Sequence, residues 1–246
     1  MSNLSSPNHT TVPLVTRIEE LVRDIPGWSP IDQLYTLHTL ALGTASLRGG
    51  IVEIGAWCGR STVVLGHAAR QIGNTHVHSI DLFPEKGDWK QNPDGSYYCD
   101  LTIGDQSHRA YKEQTIWQAP FEAQMAPIYE THGGPFACFQ KQIQLHELQS
   151  IVHPHRGTSE SFCSALPSNF LCKLAFIDGD HGYDAVSADI LRIKDFLVPG
   201  GWICFDDAFS SYDGVDRAIR EFVIGNSSFD LAQQMTRKLF VARKCR

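Results

Sequence analysis

The sequence lacks a paired cysteine motif, a long apolar run, a block of basic residues and a Gly-x-Gly-x-x-Gly turn. Its seven cysteines, Cys58, Cys99, Cys138, Cys163, Cys172, Cys204 and Cys245, are odd in number and never spaced Cys-x-x-Cys. That argues against a disulfide framework and against a structural zinc site. Free thiols in a reducing compartment are expected, and with them a cytoplasmic chain. No apolar run approaches the ~20 residues of a membrane span. The start, Met1 to Pro13, is polar, reads as a flexible tail and has no signal-peptide pattern. The net charge of -6, with no run of Lys and Arg to mark a basic patch, argues against nucleic acid as a partner, and the missing apolar span argues against a membrane.

What is present is an ordinary globular composition, 42% hydrophobic and 20% charged over 246 residues, enough for one α/β domain with an insertion. Helical spacing is expected over Val15–Arg23 and Ile31–Leu47, giving an N-terminal helical segment over 14–50. From 51 to 246 short apolar strands alternate with helices. Strands are expected at Ile51–Ile54, His76–Ile80, Ser150–His153, Lys173–Ile177 and Trp202–Phe205, with a closing hairpin of Phe229–Gln234 and Leu239–Arg243. Helices are expected at Ser61–Ile72, Ile143–Leu148, Tyr183–Phe196 and Gly214–Val223. Such alternation predicts a Rossmann-like, doubly wound α/β fold: a mostly parallel seven-stranded sheet with an antiparallel edge strand. The stretch at about 84–142 breaks the rhythm. It shows no convincing strand, is long for a loop and is dense in aromatics such as Trp89, Tyr97, Tyr111, Trp117 and Phe121. A substrate lid, a dimer contact and a small aromatic core of its own are the readings it admits.

Three motifs carry chemistry. Val52-Glu53-Ile54-Gly55-Ala56-Trp57-Cys58-Gly59-Arg60-Ser61-Thr62 runs from a buried strand through a glycine turn into a helix. Ligands of open α/β sheets sit at such strand ends. The Gly-x-x-x-Gly spacing suits a nucleotide-like ligand without a pyrophosphate, or else a plain structural turn. Asp81 ends the next strand, where an acid can bind ribose hydroxyls or cap the turn before Pro84. Asp178, in Phe176-Ile177-Asp178-Gly179-Asp180-His181, and Asp206-Asp207 close two further apolar strands. Carboxylates gathered there repel unless a cation or proton joins them, and hard divalent cations take such ligands. Capping alone is the competing reading. His181 suits a general base near neutral pH, or packs on Tyr183.

These motifs together resemble a family. Val52–Gly59 is similar to motif I of class I S-adenosylmethionine (SAM) methyltransferases, especially the catechol O-methyltransferase group and the macrocin- and mycinamicin-type enzymes of antibiotic secondary metabolism. The turn Leu197-Val198-Pro199-Gly200-Gly201 before Phe205-Asp206-Asp207 has the same likeness, which covers Gly27 to Phe209 apart from the insertion. The resemblance implies that Glu53, Gly55, Ala56, Trp57, Gly59, Ser61 and Thr62 hold the methionine part of SAM. It implies Asp81 on the ribose, and Thr158 and Ser159 at the adenine. Asp178, Asp206 and Asp207 match a divalent-metal set, Mg²⁺ first and Mn²⁺ next, with Asp178 also beside the cofactor and the reaction. Asp206 lies 28 positions after Asp178, about the family's interval. His181 stands where the family places its base, so Asp178 and His181 are the catalytic candidates.

The expected activity is SAM-dependent O-methylation of a hydroxylated small molecule, with the acceptor open among catechols, sugar hydroxyls and peptide or polyketide hydroxyls. A homo-oligomer is compatible with such an enzyme. The competing classes are a dinucleotide-binding oxidoreductase and a non-catalytic protein on the SAM-binding fold. Against the first stand the missing Gly-x-Gly-x-x-Gly and the carboxylate cluster. Against the second stand the intact Asp178, His181, Asp206 and Asp207. A nucleic-acid methyltransferase is disfavoured, since no Asn/Asp-Pro-Pro-Tyr/Phe signature occurs.

Overall fold

A computed structural model describes residues 11–111 and 116–245. Two helices, α1 (Leu14–Val22) and α2 (Ile31–Gly43), precede the sheet. The order continues β1 (Gly50–Ile54), α3 (Arg60–Ile72), β2 (Val77–Asp81), β3 (Trp89–Gln91), β4 (Tyr97–Ile103) and β5 (Gln106–Ala110). A broken helical run follows: α4 (Gln118–Pro120), a wide turn over Phe121–Met125, α5 (Ala126–His132) and α6 (Pro135–Leu145). The rest is β6 (Val152–Arg156), α7 (Ser159–Ala165), β7 (Cys172–Ile177), α8 (Tyr183–Ile193), β8 (Leu197–Phe205), α9 (Asp213–Phe222), β9 (Phe229–Gln234) and β10 (Phe240–Lys244). The first ten residues of the expected tail lie outside the described residues.

Seven strands form one sheet in the order β6-β2-β1-β7-β8-β10-β9. β6, β2, β1, β7 and β8 pair in parallel, as the alternation of strands and helices predicts. β10 pairs antiparallel with both β8 and β9. The closing hairpin therefore forms one end of the sheet, with its second strand inserted inside its first. Strand β7 is buried along its whole length, because helices cover both faces. Leu37, Val63, Leu65, Phe139 and Ile143 pack against one face. Phe162, Val186, Ile190 and Ile219 pack against the other. Area removed from water on this scale is the main stabilising term of such a domain. Chain order reverses between β1 and β7, so their carboxyl ends open the crevice in which α/β sheets bind ligands.

The insertion departs from expectation. It holds a second, three-stranded antiparallel sheet, β3-β4-β5, rather than strandless chain. β4 buries Cys99 and Leu101 and turns Asp100 and Thr102 outward, while β5 is Gln-Ser-His-Arg-Ala and shows no apolar alternation. Gly104, at φ +59, makes the tight turn between them. Trp89, Cys99, Leu101, Ala110 and Met125 form a small core here, flanked by Tyr97, Phe121 and Tyr129. Several boundaries also move: β6 runs over Val152–Arg156 rather than Ser150–His153, and β8 begins at Leu197 rather than Trp202. α2 stops at Gly43, where Thr44 turns its hydroxyl back to the Ala41 carbonyl at 2.7 Å. α6 begins at Pro135, well before Ile143, since proline suits a first helical turn.

Candidate active site

The glycine turn after β1 is built around a close approach of backbones. Gly55 has φ +91, and a Cβ there would fall inside the Asp178 carbonyl after β7. Trp57 also takes a positive φ, 44°. Asp81 fixes this shape. Its Oδ2 accepts from the backbone N–H of Ala56 at 2.9 Å and of Trp57 at 2.8 Å. Its Oδ1 accepts from the Phe83 N–H at 2.6 Å. Burial raises the Asp81 pKa, and the three N–H donors oppose that rise.

Glu53 supports the turn from beneath. Its side chain is fully buried and accepts from the hydroxyls of Ser61 at 2.6 Å, Ser79 at 2.8 Å and Thr62. Burial lifts its pKa, and those hydroxyls pull it back. Arg60 clamps the chain before α2 onto the start of α3, donating to the carbonyls of Val22 at 2.6 Å, Ile25 at 2.9 Å and Ser29 at 3.1 Å. That clamp carries Trp28 to the site. The Trp28 ring lies 6.0 Å from that of Trp57, and its Nε1 donates to Gln124 of the insertion at 2.5 Å.

One cavity of about 1010 Å³ opens over these strand ends. Gly55, Ala56, Trp57, Ser61, Asp81, Thr158, Ser159, Asp178, His181, Asp206 and Asp207 all line it. Glu53, Gly59 and Thr62 are not among the lining residues; Glu53 and Thr62 stand behind the wall and shape it. Thr158 caps α7 by accepting from the Ser161 N–H at 3.2 Å. Ser159 turns its hydroxyl to Asp189, whose carboxyl burial pushes up to about 6.

The acid cluster sits at the other end. His181 is buried, with Nε2 3.7 Å from Asp178 Oδ1 and Nδ1 3.4 Å from Asp207 Oδ2. Neither ring nitrogen has a hydrogen-bond partner, nor has Asp206 Oδ1. One donor atom from each of Asp178, His181 and Asp206 lies within 4.8 Å of the others. Burial and the neighbouring Asp206 push the Asp178 carboxyl well above its usual range. For Asp206 burial acts upward, but the bond from Asp178 and the Lys238 ammonium bring it below. Burial keeps the His181 pKa below its ordinary value despite nearby Asp207 and Asp206, so the ring is neutral and able to accept a proton.

The insertion supplies the remaining wall with Ser107, His108, Arg109, Tyr111 and Trp117. Asp180 attaches it, accepting from the Tyr111 N–H at 2.9 Å and from the Gly182 N–H at 2.8 Å. Sequence reasoning missed Asp180, Asp189, Trp28 and Lys238. Asp180 was visible as the middle acid of Asp178-Gly179-Asp180-His181. The other three had no local signal.

A family model described as a methyltransferase domain matches residues 52–208. The chain belongs to this methyltransferase family. The matched span runs from the strand before the glycine turn to just beyond Asp207, and it favours this family over the dinucleotide-binding alternative. Solved structures share the methyltransferase fold. The O-methyltransferase NovP is 13% identical with a TM-score of 0.62, over 88% of this chain and 81% of its own. The calicheamicin methyltransferase CalS11 is 17% identical with a TM-score of 0.60, over 93% and 90%. The O-methyltransferase from Bacillus cereus in complex with SAH is 14% identical with a TM-score of 0.57, over 96% and 94%. Among the described residues no helix is long and apolar enough to cross a membrane.

Proposed function

We propose that this methyltransferase transfers the methyl group of SAM to a hydroxyl oxygen of a small acceptor, with His181 as the base. The observation that carries the reading is a single cavity that joins the glycine turn at the β1/β7 crevice to the Asp178–His181–Asp206 cluster. NovP, TomG and the Bacillus cereus protein are described as O-methyltransferases, and the last two are bound to SAM or SAH.

The turn from Gly55 to Ser61 and the acid Asp81 would hold the methionine and ribose parts. Thr158 and Ser159 line the end that would take the adenine. In the chemical step the acceptor oxygen attacks the methyl carbon in line with the breaking C–S bond. The sulfonium leaves as a neutral thioether, and the hydroxyl proton passes to a neutral His181 nitrogen. His181 suits that task because it is buried, neutral and without another hydrogen bond.

The acid cluster fits a divalent cation. The unpartnered, buried Asp206 Oδ1 and the converging Asp178 and Asp206 oxygens form a hard donor set with Asp207 adjacent. Such an ion, Mg²⁺ before Mn²⁺, would stabilise the anionic form of the acceptor hydroxyl.

Calorimetric titration with SAM and S-adenosylhomocysteine, with and without Mg²⁺, on wild type and Asp206→Ala tests both parts. The expected result is micromolar cofactor binding in both proteins and Mg²⁺ binding only in the wild type. Cofactor binding with no Mg²⁺ binding in either would remove the cation and leave His181 acting alone. Failure to bind either cofactor would remove the methyl-transfer reading.

A further inference from the structure

We propose that Lys238 is a built-in counter-ion of the acid cluster, and that it sets how tightly the cluster takes a divalent cation. The proposal rests on the methyl-transfer reading only in that both use the same cavity.

Lys238 Nζ lies 2.9 Å from Asp207 Oδ1 and 3.3 Å from Asp206 Oδ2. It also lines the cavity. Its backbone is held as firmly as its head. The Ala208 N–H donates to the Lys238 carbonyl at 2.9 Å. The Lys238 N–H reaches Thr236 Oγ1 at 3.3 Å, and Gln234 Nε2 bridges the carbonyls of Ala208 at 3.1 Å and Thr236 at 2.8 Å. The turn before β10 is thus strapped to the loop that carries Asp206 and Asp207. A lysine delivered there by a fixed backbone is a constructed contact rather than a stray surface pair.

Charge decides what this contact does. Asp178, Asp206 and Asp207 together bring three carboxylates, and Lys238 supplies one ammonium. Two negative charges are left to balance when all three acids are ionised. A divalent ion balances them; a monovalent ion leaves an excess, and a trivalent one overshoots. The atoms left for that ion are the buried, unpartnered Asp206 Oδ1 and the Asp178 oxygen that converges on it. Asp206 would then carry the ion on one oxygen and the ammonium on the other. Two cations on one carboxylate repel strongly in a partly buried site. Lys238 therefore weakens cation binding while it still offsets one of the three carboxylate charges. In the absence of the ion the same ammonium keeps Asp206 and Asp207 from repelling each other.

The test is titration of full-length protein with Mn²⁺, followed by the electron paramagnetic resonance of free Mn²⁺ and by calorimetry. Wild type is compared with Lys238→Met, Lys238→Gln and Lys238→Arg. Lys238→Met and Lys238→Gln should bind Mn²⁺ about tenfold tighter or more, while Lys238→Arg stays near wild type, as expected of a like charge close by. Without metal the two neutral variants should melt below wild type, and saturating Mn²⁺ should close the gap. Unchanged or weaker Mn²⁺ binding in both neutral variants would overturn the proposal, as would absence of Mn²⁺ binding in every protein. SAM titration of the same samples separates the two readings, because retained SAM binding leaves methyl transfer standing whatever the Mn²⁺ result.

Discussion

The backbone carbonyl of Asp178 fills the space where any side chain on Gly55 would begin. Gly55 also sits at φ +91, which disfavours every L side chain. Gly55→Ala should therefore cost about 2 kcal/mol or more, lowering the melting temperature by roughly 2–4 °C per kcal/mol for a chain this long. It should also weaken SAM binding, because β1 and β7 part at the crevice. Thermal unfolding with SAM titration checks both, and a variant as stable as wild type would refute the close approach.

Asp81 gives a prediction that separates two roles. Its three backbone bonds hold the turn with or without a ligand. Asp81→Ala should destabilise the ligand-free protein by about 2–4 kcal/mol, since it strands buried N–H donors. If the acid served ribose alone, urea unfolding of the ligand-free variant would match wild type.

His181→Ala should lower kcat by about 10²–10⁴-fold, the usual contribution of a positioned base. The dissociation constant for SAM should stay close to wild type. An activity loss that tracks a loss of SAM affinity would instead make His181 a structural wall.

Trp117 is half exposed and lines the cavity from the insertion. Trp117→Ala should raise KM for the acceptor about tenfold, a loss of roughly 1.4 kcal/mol of contact, with SAM binding unaltered. Weakened SAM binding in this variant would place the insertion against the cofactor instead.

Acid stability follows from two histidines far from the cavity. Burial pulls His67 and His78 down from 6.5 to about 4, helped by Arg70 for the first and His155 for the second. A folded pKa below the unfolded one means that the unfolded chain binds more protons between them. This stability is complete above pH 6.5 and drains away as pH falls towards 4. His78→Phe keeps the packing against Phe162 and Phe170, 5.7 and 5.4 Å away between ring centres. It should flatten the loss of stability between pH 7 and 5 in urea titrations; an unchanged slope would contradict the assignment.

The main sheet was legible because its central parallel strands β1, β7 and β8 carry apolar runs that end at Gly or Asp, as burial on both faces requires, whereas the outer strand β6 reads Val-His-Pro-His-Arg. Position along such strands also led to Gly55, Asp81, Asp178 and Asp206. Hydrogen-bond partners did not follow from position. Glu53 looks like a ligand by its place in the motif, yet three hydroxyls enclose it. The small sheet was hidden because β5 carries polar side chains and finds its partner only through tertiary pairing. Lys238 was hidden by direction. Reading strand ends finds residues that follow parallel strands, but β10 runs the other way and brings the residues before it to the same rim.

The insertion leaves the main sheet at the end of β2 and returns to it at β6, the strand next to β2 and last on that side. The pairs Val77 with Val152 and Ile80 with His155 close that gap without help from the residues between. The small sheet β3-β4-β5 is thus a detour off one margin, whereas Phe83, Phe139, Ile143 and Leu148 of the same stretch pack into the core of the main sheet. Evolution, or a protein engineer, can exchange that small sheet as a cassette and acquire a new acceptor wall, provided that α6 stays to cover the donor half.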